Sequence, residues 1–122
     1  MRVLIVEDEP VSQRALRFLL TANGFQTDAV GSAEQAEELL RQDAPVDAPV
    51  DVVVLDVDLP GRSGLHFLEW VRRFRPQAKS ILVTAVEQER LRTVLGRQVL
   101  YIQKPIDFRR LLHVLHELRE CA

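Results

Sequence analysis

A chain of 122 residues, 47% hydrophobic and 28% charged, has room for one core and the composition of an ordinary globular domain, so we expect one domain over residues 1–122. No apolar run approaches the roughly 20 residues that span a bilayer, and the apolar run at 3–6 is too short for a secretory signal. Cys121 is the only cysteine, so the chain cannot form an internal disulfide, and this favours a cytoplasmic protein. The net charge of −2 conceals an asymmetry: residues 1–61 contain 4 basic and 12 acidic residues, whereas residues 62–122 contain 12 basic and 6 acidic residues. The arginines of the second half are spread over several predicted helices without interleaved aromatic residues, so we expect neither nucleic-acid nor membrane binding.

Short apolar runs alternate with amphipathic segments along the chain, which is the pattern of a parallel sheet with helices on both faces. Right-handed crossovers and short connections leave few arrangements of such units. We therefore predict an α/β doubly wound (βα)5 domain, a flavodoxin-like three-layer sandwich with a parallel sheet of order 2-1-3-4-5. The predicted strands are 3–6, 25–30, 51–56, 80–85 and 99–104, and the predicted helices are a segment from Pro10 to Asn23-Gly24, then 33–42, 65–74, 87–96 and 108–120.

Local signals mark the ends of several predicted helices. Pro10 suits a helix start, where its missing N–H costs nothing, and Asn23-Gly24 suits a left-handed helix end. Ser32 and Gln35 have the spacing of a capping box, and Asp107 precedes the last helix as its cap. Helical spacing predicts core stripes in the first and last helices, made of Val11, Ala15, Leu16 and Leu19, and of Leu111, Leu112, Leu115 and Leu118.

The tetrad Ala-Pro-Val-Asp occurs at 44–47 and again at 48–51. Two prolines within five residues exclude a helix or a central strand there. We predict an extended loop insertion without a functional role, because surface loops tolerate added length at little cost.

Polar residues follow four of the five predicted strands. The first strand is followed by Glu7 and Asp8, the third ends in Asp56, the fourth carries Thr84, and the fifth ends in Lys104. All strands of a parallel sheet point their carboxyl ends to one edge, where ligands bind. In the predicted order these four strands are neighbours, so the sequence predicts that the five side chains converge.

A cluster of carboxylates at that edge requires a compensating charge. Two carboxylates about 4 Å apart repel by roughly 4 kcal/mol at an effective dielectric constant of 20, so three together need a proton or a cation. Oxygen ligands favour Mg²⁺, which also binds substrate phosphate, and Mn²⁺ is a candidate substitute. A lysine across from such an aspartate suits phosphoryl transfer, and aspartate is a known nucleophile toward phosphorus.

Four motifs, "LIVEDEP", "VVVLDVDLPGRSGL", "ILVTA" and "YIQKP", occur in this order over essentially the whole chain. Through them the chain resembles the receiver domains of two-component response regulators. Each motif alone is weak, whereas all four in order are highly specific. By this resemblance Asp56 is the phosphoacceptor, Asp8 binds Mg²⁺ directly, Glu7 acts through water, and the backbone carbonyl of Asp58 completes the metal shell.

The resemblance also implies a switch. Thr84 and Lys104 bond the phosphoryl group, the Lys104–Pro105 peptide bond is cis, and the rotamer of Tyr101 follows Thr84. The phosphodonor is a phosphohistidine of a sensor histidine kinase or a histidine phosphotransfer protein, and the domain catalyses only its own phosphorylation and dephosphorylation. The face formed by the fourth helix, the fifth strand and the fifth helix then changes, and it contacts an output domain, an effector protein or a second copy in a homodimer.

The chain departs from the family pattern between Thr84 and Lys104. This stretch is short and has "TVLGRQVL" where the family has a run of small residues, so we expect a short or displaced fourth helix. Val86 has no polar group to orient a hydrolytic water, and we therefore expect a slowly decaying phosphoryl form.

Other functions remain open from the residues alone. Asp56-Val57-Asp58 also mimics the nucleophile motif of haloacid-dehalogenase-like phosphatases, although those enzymes usually carry it on the first strand. A flavin or nucleotide binder is disfavoured by the acidic "EDEPVSQ", and a receiver that only docks a partner is disfavoured by the complete set of site residues. Tyr101 equally fits an ordinary sheet aromatic, and His113 and His116, which lack a third ligand, fit surface positions.

Overall fold

The computed structural model describes residues 1–42, 49–56, 64–85 and 100–120. Its five strands form one parallel sheet of order β2-β1-β3-β4-β5, which confirms the predicted fold. The strands are β1 (Arg2–Val6), β2 (Gln26–Val30), β3 (Val52–Asp56), β4 (Lys79–Thr84) and β5 (Leu100–Gln103), and the described helices are α1 (Pro10–Ala22), α2 (Ala33–Gln42), α3 (Gly64–Phe74) and α4 (Phe108–Glu120). Residues 44–48 of the predicted loop over 44–51, the predicted helix over 87–96, Asp58, Val86 and Cys121 lie outside the described residues.

The core consists of two hydrophobic layers, one on each face of the sheet. The apolar run of β3 serves both, because alternate side chains of a strand point to opposite faces. Val52 and Val54 pack with α1 and α4, whereas Val53 and Leu55 pack with α2 and α3. None of the helices in the described ranges has both the length and the apolar character needed to cross a membrane.

The helix ends follow the predicted signals with one change. Pro10 is the first residue of α1, and Gly24 beyond its end has φ +89°. At the start of α2 the Ser32 hydroxyl accepts the Gln35 backbone N–H at 3.2 Å, as expected, but the Gln35 side chain accepts from Gly31 instead of Ser32. Asp107 accepts from two backbone N–H groups of α4, as predicted.

The predicted core stripe of α1 is wrong at its beginning. Val11 is 67% exposed and Ala15 is also exposed, while Leu16 and Leu20 supply the buried positions. Val11 and Ala15 instead line an open cavity that Lys104 also borders. Helical spacing alone does not show which side of a helix faces such a cavity instead of the core.

Candidate functional site

The strand registers place the predicted polar residues along one edge of the sheet. Val6 pairs with Leu55, so the next residues, Glu7 and Asp56, are neighbours at the ends of β1 and β3. Thr84 ends β4, and Lys104 follows β5 directly. Because side chains alternate along strands, Glu7, Asp56 and Lys104 belong to the face with α1 and α4, and Thr84 belongs to the face with α2 and α3.

Three carboxylates meet at this edge. Glu7, Asp8 and Asp56 each offer one oxygen, and these oxygens all lie within 4.8 Å of one another. Among the described residues they form the only group of three or more acidic, histidine or cysteine side chains arranged closely enough to hold a metal ion. Glu7 and Asp56 are buried, with 7% and 4% of their surface exposed, whereas Asp8 is exposed at the mouth of the site.

The burial and close approach of these carboxylates change the pKa of Glu7. Burial, a hydrogen bond with Asp56 and the negative charge of Asp56 together raise the pKa of Glu7 from 4.5 to about 8, while the positive charge of Lys104 partly opposes the effect. At neutral pH Glu7 therefore holds a proton in the metal-free protein. The described carboxylates fit Mg²⁺, because a hard divalent cation satisfies oxygen ligands and removes the need for that proton.

Lys104 is tied to the site by its side chain and by its backbone. Its ammonium Nζ lies 2.9 Å from Oδ2 of Asp56, and its backbone N–H donates to the carbonyl of Thr84 at 2.7 Å. The Lys104–Pro105 peptide bond is cis, as the resemblance implied. The ammonium group that follows β5 thus lies against the buried Asp56 carboxylate at the end of β3, with β4 between these two strands.

Thr84 and Tyr101 lie on the same side of the sheet. Leu82 and Tyr101 are register partners and pack in the layer with α2 and α3, and Thr84 follows Leu82 by two residues. Thr84 is 1% exposed and Tyr101 is 5% exposed. Both side chains are therefore buried on the face of the sheet that packs against α2 and α3.

Two side chains hold the turn between β1 and α1, and the contact of Gln13 was not predicted. The Gln13 side chain donates through Nε2 to the carbonyl of Glu7 at 2.9 Å. The Glu9 carboxylate caps α1 by accepting the backbone N–H groups of Ser12 and Val11, and these two bonds lower the pKa of Glu9. No signal in the sequence singled out Gln13, because a polar residue in a first helical turn usually faces solvent.

The two histidines of α4 take no part in the site. His113 is exposed and pairs with Glu117, and the half-buried His116 contacts the ring of Phe25 at a centroid distance of 5.5 Å. The acidic edge of the sheet is therefore the candidate site.

Comparison with known proteins gives the same assignment. The family model of the response regulator receiver domain matches residues 3–116. The transcriptional regulatory protein AruR of Pseudomonas aeruginosa is 35% identical over 114 residues, covering 91% of this chain and 46% of AruR. The polar-differentiation response regulator DivK of Brucella ovis is 31% identical over 120 residues, covering 93% of this chain and 91% of DivK.

Solved structures agree with these sequence matches. The response regulator TrrA of Thermotoga maritima, solved in complex with Mg²⁺ and BeF, is 29% identical with a TM-score of 0.81, over 96% of this chain and 97% of that one. The chain spans less than half the length of the transcriptional regulators that it matches. It belongs to the family of response regulator receiver domains, the signalling domains that take a phosphoryl group from a sensor kinase onto an aspartate in two-component signal transduction.

Proposed function

We propose that Asp56 is the phosphoacceptor of this receiver domain and that residues 1–122 form one such domain. The supporting observation is the placement of Asp56 at the end of β3, buried between the carboxyl group of Glu7 and the ammonium group of Lys104. In the reaction a carboxylate oxygen of Asp56 forms a bond to phosphorus as the bond from phosphorus to the donor imidazole nitrogen breaks. The electron pair of that bond stays on the imidazole, which is the leaving group.

The acidic cluster is proposed to hold the Mg²⁺ ion that this reaction requires. Asp8 and Asp56 are the direct ligands, Glu7 acts through water, and the backbone carbonyl of Asp58, which lies outside the described residues, completes the shell. When bound, the ion neutralises the carboxylates and the phosphoryl oxygens so that the two can approach. Mn²⁺, which shares the preference for oxygen ligands, is proposed as a substitute.

Lys104 and Thr84 are proposed to stabilise the phosphorylated form. The ammonium group already lies at the Asp56 carboxylate, so phosphoryl oxygens added there meet a positive charge at hydrogen-bonding distance. The hydroxyl of Thr84 donates to another phosphoryl oxygen, and its movement alters the layer that contains Tyr101. The affected surface comprises β5, α4 and the predicted helix over 87–96, and it is the proposed contact for an output domain, an effector or a second copy.

The phosphodonor is proposed to be a phosphohistidine of a sensor histidine kinase or a histidine phosphotransfer protein, in the reducing cytoplasm that the single cysteine favours. The domain then promotes only its own phosphorylation and dephosphorylation. It should therefore not turn over a generic phosphomonoester, which a phosphatase of the haloacid-dehalogenase type would hydrolyse.

Intact-mass analysis after incubation with a small phosphodonor tests the assignment of Asp56. We expect the mass of one phosphoryl group to be added to the wild type with Mg²⁺ or Mn²⁺, and not with a chelator. Asp56→Asn should gain nothing. Asp51→Asn, directly before the opposite end of β3, is the matched control and should gain the group as the wild type does. Equal phosphorylation of the Asp56 variant would place the acceptor elsewhere.

A further inference from the structure

The turn between β1 and α1 carries two of the three carboxylates of the site, and its backbone is held at several points. The Glu7 N–H continues the sheet by donating to the carbonyl of Val30 at 3.0 Å. On the other side of the turn, Glu9 caps α1 through its carboxylate. Asp8 lies between these two anchored residues, so the position of its backbone depends on both.

The carbonyl of Glu7 is held by a side chain from the helix. Gln13 lies in the first turn of α1, where its backbone N–H donates to the carbonyl of Glu9 at 2.9 Å. Helical side chains lean toward the amino terminus of their helix, and the Gln13 amide accordingly reaches back to Glu7, 2.9 Å away and partly buried. This bond joins α1 to the peptide unit between Glu7 and Asp8.

The geometry points to Gln13 as a positioning residue that holds the acidic pair in the arrangement that binds Mg²⁺. This inference rests on the proposed metal site. Rotation of the Glu7–Asp8 peptide would move the Asp8 carboxylate away from Asp56, and the Gln13 bond opposes that rotation. Gln13 touches neither the metal nor the phosphoryl group, so it acts through the backbone of Glu7. Groups that orient metal ligands typically change metal affinity by about 10- to 100-fold when they are removed.

A variant and a closely matched control are available in the chain. Gln13→Met keeps the length and shape of the side chain and removes the donor. Gln35 makes the equivalent contact at the start of α2, where its side-chain oxygen accepts the Gly31 N–H at 2.8 Å, and none of the three carboxylates lies in that turn. Gln35→Met therefore removes one bond between a side-chain amide and the backbone of a strand–helix turn, away from the site.

Calorimetric titration of the metal-free proteins with Mg²⁺ is the direct test. We expect Gln13→Met to bind Mg²⁺ about fivefold to tenfold more weakly, since the lost bond orients a backbone group and not a ligand atom itself. Gln35→Met should bind as the wild type does. The Mg²⁺ concentration for half-maximal phosphorylation should rise by the same factor in Gln13→Met, while the rate at saturating Mg²⁺ stays at the wild-type value.

Amide hydrogen exchange without metal establishes that both substitutions act locally. Exchange should accelerate at the Gly31 amide in Gln35→Met, because that N–H loses its acceptor. In Gln13→Met it should accelerate at the Glu7 amide, because the Glu7 carbonyl is no longer held and the bond from the Glu7 N–H to Val30 opens more often. Unchanged Mg²⁺ affinity in Gln13→Met, or an equal loss in both variants, would overturn the inference. Failure of the wild type to bind Mg²⁺ would refute the metal site and this inference together, whereas phosphorylation of Asp56→Asn would refute only the acceptor assignment.

Discussion

Replacement of Glu7 by glutamine should stabilise the metal-free protein, and by an amount that depends on pH. Glutamine has the shape of protonated glutamic acid and carries no ionisable proton. Glu7 is almost fully buried beside Asp56, and its pKa is raised to about 8 in the folded protein. Above pH 4.5 the unfolded state is stabilised by releasing the Glu7 proton, whereas the folded state keeps that proton. Glutamine cannot release a proton in either state, so the substitution removes this loss of stability.

The magnitude follows from the difference in pKa between the folded and unfolded states. Below pH 4.5, the ordinary value for this group, Glu7 is protonated in both states and its contribution to stability is fully present. Between pH 4.5 and about 8 only the unfolded state loses the proton, so the stability of the wild type falls by about 1.4 kcal/mol per pH unit. At pH 7 the accumulated loss is about 3 kcal/mol, and above about pH 8 it no longer grows.

Urea unfolding in the presence of a chelator, at a series of pH values from 5 to 8, measures this effect. Glu7→Gln should have a higher free energy of unfolding than the wild type, and this difference should increase with pH to about 3 kcal/mol at neutral pH. Saturating Mg²⁺ should stabilise the wild type more than the variant and narrow the gap. Glu69→Gln, on the exposed side of α3, controls for removal of one carboxylate. A gap that stays constant across the pH series would refute the reasoning.

Three further substitutions test other parts of the structure. Lys104→Met removes the ion pair with Asp56. Because the Lys104 side chain is one-third exposed, we expect a loss of only about 1–2 kcal/mol in the free energy of unfolding. Phosphorylation, followed over time by intact mass, should also be slower. Thr84→Val keeps the packing of a 1% exposed side chain but removes the hydroxyl, so phosphorylation should proceed while the NMR signals of the Tyr101 ring no longer respond to it. Arg75→Met removes two guanidinium hydrogen bonds to the last turn of α2 and should lower the free energy of unfolding by about 1–2 kcal/mol without changing Mg²⁺ affinity.

Each of these predictions has a contrary outcome. Wild-type stability and phosphorylation rate in Lys104→Met would mean that the observed ion pair has no role in the site. A normal response of the Tyr101 ring in Thr84→Val would remove Thr84 from the proposed switch. Weakened Mg²⁺ binding in Arg75→Met would indicate that the α2–α3 contact and the metal site are coupled.

The strands and most helix ends were predictable because they depend on nearby residues. The run Val52–Leu55 is apolar on both faces, as is typical of a parallel strand that is covered by helices on both sides. Pro10, Gly24 and Asp107 act on the backbone within a few residues of themselves, so their effects do not depend on the rest of the fold. The observed strand ends differ from the predicted ones by about one residue, because pairing with the neighbouring strands decides where a strand stops.

The errors arose where a neighbouring element decides the outcome. Val11 has the spacing of a core residue but lines an open cavity with Lys104 and is 67% exposed. Gln35 bonds Gly31 instead of Ser32, because the turn from β2 brings the Gly31 N–H within its reach. Gln13 acquires its contact with Glu7 only from the angle at which α1 leaves the sheet.

The sequence by itself determined the order of strands and helices and which residue types would stand at the carboxyl edge of the sheet, since both follow from local pattern and from the geometry common to parallel sheets. Tertiary structure decided the distances. Asp56 and Lys104 are 48 positions apart along the chain and 2.9 Å apart in space, and the raised pKa of Glu7 depends on how deeply it is buried beside Asp56. Charges interact according to their separation and the solvent between them, and the fold alone sets both.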